Sequence, residues 1–202
     1  MLDLSLDMIS AVAEGLPFRL VLTVIVFASF GIYNELNKSG GRADVLVTAF
    51  DRRIVLWPVF SVPYLLYFPF LFLVTGYGIL FSRHSAEIAA SALGVQLVAA
   101  VIYGYRQTHV PRPPVPGRDV FSRLAACIYG FDRPYCAFPS LHVAYSVLCA
   151  YWAAVLFGPV LTAAGMVLTA AIVLSTLYLK QHVIADVFGG AALAVLCLLV
   201  VV

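Results

Sequence analysis

Val183-Ile184-Ala185-Asp186-Val187-Phe188-Gly189-Gly190-Ala191-Ala192-Leu193-Ala194-Val195-Leu196-Cys197-Leu198-Leu199-Val200-Val201-Val202 holds a single charged residue, Asp186, near its start. A helix of about 20 apolar residues matches the hydrocarbon thickness of a bilayer. The run has none of the strict alternation of a half-buried strand. The rest of the chain has the same texture. Of 202 residues, 63% are hydrophobic and only 11% are charged, and the mean hydropathy is +1.00. Soluble domains carry roughly 25% charged residues. The sequence therefore reads as an integral membrane protein. It reads as all-α, because a helix satisfies its own backbone in lipid and no barrel pattern is present.

Six spans are expected, near Pro17–Tyr33, Ile54–Phe81, Ala86–Tyr103, Pro139–Phe157, Val160–Leu179 and Val183–Val202. Pro58, Pro63 and Pro69 predict a kink or an interfacial lead-in within the second. The longest polar stretch, Tyr105 to Ala137, reads as a loop. At the N-terminus Asp3, Asp7, Ser10 and Glu14 share one helical stripe opposite Leu4, Leu6 and Ile9, which predicts an amphipathic helix on the membrane surface. The first residues lack a basic start, so no cleavable secretion signal is expected. No internal repeat divides the chain, and residues 1–202 read as a single membrane-embedded domain. The net charge of +2 without a basic run excludes a nucleic-acid partner. The expected partners are the lipid bilayer and a membrane lipid substrate; the oligomeric state is not legible.

Two stretches carry chemistry. Phe138-Pro139-Ser140-Leu141-His142 opens the fourth span, and Ser175-Thr176-Leu177-Tyr178-Leu179-Lys180-Gln181-His182-Val183-Ile184-Ala185-Asp186 joins the fifth to the sixth. On a helix, Asp186 would lie one turn from His182 and polarise the imidazole. Ionisable groups at membrane depth are costly, so their presence points to function. A third stretch, Tyr105-Arg106-Gln107-Thr108-His109-Val110-Pro111-Arg112-Pro113, ends the third span on the same membrane face. Two imidazoles, a carboxylate, hydroxyls and cations suit phosphoryl transfer through a covalent histidine intermediate. Arg112 offers a bidentate fork to phosphoryl oxygens, and Ser140 stands at a helix start, where exposed N–H groups favour an anion.

These three stretches resemble the motifs of the type 2 phosphatidic acid phosphatase superfamily, whose soluble relatives include the vanadium haloperoxidases. The family pattern is Lys, six residues, Arg-Pro; then Pro-Ser-Gly-His; then Ser-Arg, five residues, His, three residues, Asp. Arg112-Pro113 matches the end of the first motif. Pro139-Ser140-Leu141-His142 matches the second with Leu141 for Gly, and Ser175, His182 and Asp186 match the third at full spacing. The motif-bearing core spans residues 105–190. The resemblance implies that His182 is the nucleophile, Asp186 its partner and His142 the general acid, with Arg112, Ser140 and Ser175 holding phosphate. It further implies a metal-independent enzyme without cofactor that hydrolyses a phosphate ester or pyrophosphate of a lipid such as phosphatidate or a polyprenyl phosphate.

The pattern departs from the family at two places. The first-motif Lys falls on Tyr105, with Arg106 beside it as a substitute. The third-motif Arg falls on Thr176, with Lys180 as the nearest replacement charge. The Ser-Thr-x-Tyr form of the third motif, together with Asp132, Pro134 and Tyr135, is similar to the branch containing inositol phosphorylceramide synthase. That branch implies a phosphotransferase, in which an alcohol rather than water accepts the group. Rival readings are a zinc site using His109, His142, His182 and Asp186, and a non-catalytic transporter or structural bundle. Trp57, Tyr64, Tyr67, Phe68 and Phe70 read as a membrane belt or packing. Cys127 and Cys136 share the polar loop and are expected as free thiols. Ten of the twelve Lys and Arg residues fall on the face of the histidine motifs. By charge alone that face is cytoplasmic, but anion binding accounts for part of the bias. The expected location is a bacterial inner (plasma) membrane, with the site facing out of the cytoplasm.

Overall fold

The computed structural model describes residues 6–38 and 43–202, with side chains described from Gly15 onward. Among the described residues there are eight α-helices and no strand: α1 Leu6–Lys38, α2 Ser61–Leu71, α3 Tyr77–Phe81, α4 Ser85–Tyr105, α5 Val120–Phe131, α6 Leu141–Leu156, α7 Pro159–Tyr178 and α8 Ile184–Val201. Five segments are long and apolar enough to cross a membrane: Gly15–Lys38, Pro58–Phe81, Ser85–Tyr105, Pro159–Tyr178 and Ile184–Val201. They make this a membrane protein, with one fewer candidate span than the sequence reading expects. The expected fourth span is the 16-residue α6, too short to count as one. The stripe of Asp3, Asp7, Ser10 and Glu14 lies outside the residues described with side chains. The backbone from Leu6 runs into the first span as one helix.

The expected irregularity of the second span takes a definite form. Pro58–Phe60 make a 3-10 turn, α2 follows, and a π-helical turn over Phe72–Gly76 separates α2 from α3. The π turn begins three residues after Pro69, whose missing N–H already interrupts the helical ladder.

The core is built around α6, which packs on α7, α8, α4 and α2. Two of its polar side chains find partners within the bundle, as lipid demands, while Ser146 Oγ is buried without one. The Trp152 indole donates to Ser91 Oγ at 3.1 Å, and the Tyr145 hydroxyl to the Ala92 carbonyl at 3.0 Å. By contrast, α1 from Gly15 onward is mostly exposed. It is held by aromatic contacts of Phe27 with Phe72 and of Phe30 with Tyr145. Arg19, within α1, donates to the carbonyls of Leu80 in α3 and of Ser82 just after it.

The stretch read from sequence as a loop contains a helix of its own. Asp119 accepts from the amides of Phe121 and Ser122, capping α5. This amphipathic helix tucks Ala125 and Ile128 against Tyr64 and Leu179, while Val120, Phe121 and Phe131 stay exposed. It closes over the ends of α2 and α7, where the histidine motifs lie.

The start of α8 is fixed from two sides. Asp51, in the 3-10 turn before α2, accepts the amide of Ile184 at 2.8 Å through Oδ1. Its Oδ2 accepts the amide and hydroxyl of Thr48. Burial pushes the Asp51 carboxyl up, but these bonds and the nearby Lys180 charge outweigh it and hold the group below the ordinary carboxylate value. On the other side, Gly190 lies against the turn before α6. A Cβ there would fall 2.3 Å from the Ser140 carbonyl oxygen and 3.1 Å from Val143 Cβ. Gly190→Ala therefore forces α8 away from that turn, at a cost of about 1–3 kcal/mol. A lowered thermal midpoint of the detergent-solubilised protein would show it. Gly31, with nothing within 4 Å of its built Cβ, is the control: Gly31→Ala leaves the midpoint unchanged or raised.

Candidate active site

Three chain segments meet where α6 and α8 begin and α7 ends. The Ser140 amide donates to the Asp186 carbonyl at 3.0 Å, joining the second motif to the third. Ser140 Oγ caps α6 by accepting the Val143 amide at 3.3 Å. His142 follows in the first turn of α6, and Asp186 lies in the first turn of α8. Both helices thus point their N-termini, with their partial positive charge, toward the same place.

His182 is 9% exposed, and its Nδ1 stands 3.4 Å from Asp186 Oδ2. That is longer than a charge-assisted hydrogen bond of about 2.7–2.9 Å. Asp186 is fully buried, and its Oδ2 accepts the Val183 amide at 2.9 Å. The carboxylate is thereby set nearest Nδ1, which is buried without a hydrogen-bond partner, as is Asp186 Oδ1. The ring of His142 lies 6.0 Å from that of His182. It is sandwiched by aromatics, with Tyr64 at 4.5 Å and Tyr67 at 4.4 Å between ring centres. The His142 Nε2 is buried without a hydrogen-bond partner. Sequence reasoning placed Tyr64 and Tyr67 in a membrane belt or in packing; the structure places them against a candidate catalytic ring.

Arg112 reaches the same region. Its guanidinium donates to the carbonyls of Asp132 at 2.5 Å and Arg133 at 3.3 Å, and to Gln181 Oε1. It lies 5.0 Å from the centre of the Tyr129 ring, whose hydroxyl donates to the Leu179 carbonyl at 2.8 Å. Burial pushes that hydroxyl up to about 12, against the pull of Arg112. Asp132 itself accepts from Tyr33, Asn37 and Tyr64, linking α1 and α2 to the loop that precedes the second motif.

The remaining candidates separate. Ser175 is buried, but its hydroxyl donates to the Ile172 carbonyl of its own helix at 2.6 Å. Lys180, in a left-handed conformation with φ 54, donates Nζ to the Asp51 carbonyl at 2.8 Å. Burial draws its ammonium below the ordinary lysine value, with Asp51 opposing. Arg106 is not brought to the histidines. It is held outside by Asp44 at 2.5 Å, on the exposed side of the loop. Tyr105, at the motif-one lysine position, is 92% exposed. No substitute for the motif-one lysine comes from either residue.

Two cavities flank the histidine pair. One of about 300 Å³ runs between α1, α2 and α5, is lined by Phe27, Phe30, Tyr64, Tyr67 and Phe68, and ends at His142 and Asp132. The other, about 360 Å³, is lined by His182, Lys180, Asp51 and Arg52. The first is mainly aromatic with Asp132 at its end, the second carries Lys180, Arg52 and Asp51, and His142 lines the one and His182 the other. Among the described residues no group of three or more His, Cys, Asp or Glu side chains is placed to hold a metal ion. Cys127 and Cys136 are free thiols; burial pushes the Cys136 thiol up to about 11.

Sequence reasoning missed α5, Tyr129, Gln181 and Arg52. The cap at Asp119 followed by an amphipathic dodecamer was the available signal for α5. Nothing local marked the others. The family model described as the PAP2 superfamily matches residues 43–200. Comparison with curated proteins and with solved structures gave no match.

Arg112 is held by a planar fork that lysine cannot reproduce. Arg112→Lys loses the simultaneous bonds to Asp132, Arg133 and Gln181. A fall in orthovanadate affinity of about tenfold or more, as expected for a lost charge-assisted bond, is the outcome to measure by inhibition titration.

Proposed function

Because the chain belongs to the PAP2 superfamily, whose members are generally phosphatases, we propose that it is a membrane lipid phosphatase. It would hydrolyse a phosphate ester or pyrophosphate of a lipid through a phosphohistidine intermediate. The observation that carries this reading is the His182–Asp186 pair, with the His142 ring 6.0 Å away at the end of an aromatic cavity.

The chemistry follows from that placement. Asp186 favours the tautomer of His182 with the proton on Nδ1, so the Nε2 lone pair attacks phosphorus. The N–P bond forms as the bond to the lipid oxygen breaks, and His142 gives a proton to that oxygen. Burial draws the His142 imidazole down to about 3, and it takes up this proton together with the anionic phosphate. Water then attacks the phosphohistidine, its proton passes to His142, and the N–P bond breaks to release phosphate. Acid–base help of this kind contributes roughly 10²–10⁴ in rate. Arg112 and the two helix N-termini stabilise the charge on the equatorial oxygens. The lipid alcohol departs toward His142, into the apolar cavity, where its chain finds aromatic walls. No step uses a metal, so EDTA should leave the rate unchanged.

A phosphotransferase is the second reading, and the same cavity accommodates it. The cavity that ends at His142 is walled by Phe27, Phe30, Tyr64, Tyr67 and Phe68, a surrounding suited to the chain of a lipid alcohol. An alcohol seated there could take the phosphoryl group or phospho-headgroup in place of water.

The test is a panel of lipid phosphates with and without alcohol acceptors, scoring free phosphate against transferred headgroup. His182→Ala should reduce both products to background while the thermal midpoint stays at the wild-type value. Orthovanadate should inhibit the wild type, because its five-coordinate adduct with an imidazole resembles the transferring phosphoryl group. Normal turnover in His182→Ala would contradict the assigned nucleophile.

A further inference from the structure

We propose that Gln181 is a phosphate-binding residue, supplying from its side-chain amide the donor that the family's third motif takes from arginine. The inference rests on the reading of His182 as nucleophile and adds a residue that the three motifs do not assign.

The arginine position itself is closed. Thr176 is fully buried, and its hydroxyl donates to the Val173 carbonyl at 2.8 Å. Lys180 is turned away to Asp51. The left-handed turn at Lys180 folds the chain back so that the amides of Gln181 and His182 both donate to the Thr176 carbonyl, at 2.9 and 3.0 Å. Gln181 is thereby tied to the backbone of the residue that replaces the arginine, and it is the immediate neighbour of His182.

Its side chain is committed on one side only. Gln181 is 3% exposed, and its Oε1 accepts from Arg112 Nη2. A guanidinium has donors and no acceptor, so the amide oxygen must face Arg112 and the NH₂ must face away. That Nε2 is buried and has no partner, and neither does Arg112 Nε. Buried donors without partners are rare in native proteins and call for an explanation. A phosphoryl group presents several acceptor oxygens and no donor, which is what these two N–H groups lack. The Nη groups of Arg112 are occupied by Asp132, Arg133 and Gln181, so Nε is the edge left for the ligand. Gln181 thus acts twice: it orients Arg112 through Oε1 and donates to the phosphoryl group through Nε2.

Gln181→Glu separates the two actions. Glutamate keeps size and an acceptor for Arg112, but it loses the N–H donors and adds negative charge. The measurements are kcat/KM with a lipid phosphate, the orthovanadate inhibition constant and the thermal midpoint, all on the full-length protein in detergent. Loss of one preorganised donor to a developing oxyanion costs about 10²-fold or more, so a fall of that order in kcat/KM is expected, with weakened vanadate inhibition and an unchanged midpoint. Wild-type kcat/KM and vanadate affinity in Gln181→Glu would overturn the proposal. If Gln181→Glu does not fold, Gln181→Met removes the Nε2 donors and the Oε1 acceptor together without adding charge: losses in kcat/KM and vanadate affinity support the two actions jointly, and wild-type values overturn the proposal. A His182→Ala control distinguishes the two levels. Turnover that survives in His182→Ala contradicts the nucleophile, whereas turnover lost there but intact in Gln181→Glu contradicts Gln181 alone.

Discussion

The bond from the Ser140 amide to the Asp186 carbonyl holds the site together. It ties the first turn of α8 to the turn that starts α6, and so fixes the two imidazoles relative to one another. His142 lies two residues beyond Ser140, and His182 four residues before Asp186. The close approach requires glycine at 190, because the Ser140 carbonyl occupies the place of a side chain. It also directs two helix N-termini at one region, a standing positive potential inside a protein otherwise short of charge. From the far side, Asp51 takes the free amide of Ile184, so the first turn of α8 is held by partners on both flanks.

Around this junction the protein supplies walls rather than charges. Tyr64 and Tyr67 pack against His142, Tyr129 lies against Arg112, and α5 closes over Tyr64 and Leu179. Aromatic walls lower the local dielectric, and each fixed donor counts for more in such surroundings. This bears on the two family positions where a cation is missing. Tyr105 points away from the site and Thr176 is absorbed into its own helix. The region is left with one well-held guanidinium, Arg112, and with Lys180 and Arg52 on the charged cavity beyond His182.

The features legible in the sequence are those set by short-range periodicity. The structure places His182 and Asp186 3.4 Å apart, but across the turn before α8, since His182 precedes the Val183 N-cap and does not stack on Asp186 along a helix as the spacing suggests. The position of Ser140 before an apolar run marked a helix start, and it caps α6. Apolar runs mark the long spans; the fourth of them forms the 16-residue α6, shorter than the other candidate spans. Contacts between distant segments were not legible. The partner of Arg106 is Asp44, 62 residues earlier, and that contact takes Arg106 away from the histidines. Tyr64 reaches His142 because α2 packs on α6, which no local pattern announces. Gln181 carries no signal in the sequence, because a neutral amide beside a histidine has no distinctive spacing. Only its buried, half-satisfied state in the fold draws attention to it.

Trapping the phosphorylated protein tests the central chemistry most directly. A lipid substrate with radiolabelled phosphate is mixed with the protein, quenched in alkali and digested, and the labelled peptide is sequenced by mass spectrometry. His142→Ala, which lacks the group that activates water, prolongs the intermediate. The expected result is an acid-labile, base-stable label on His182. Label on any other residue, or turnover that proceeds without a labelled protein, would contradict it.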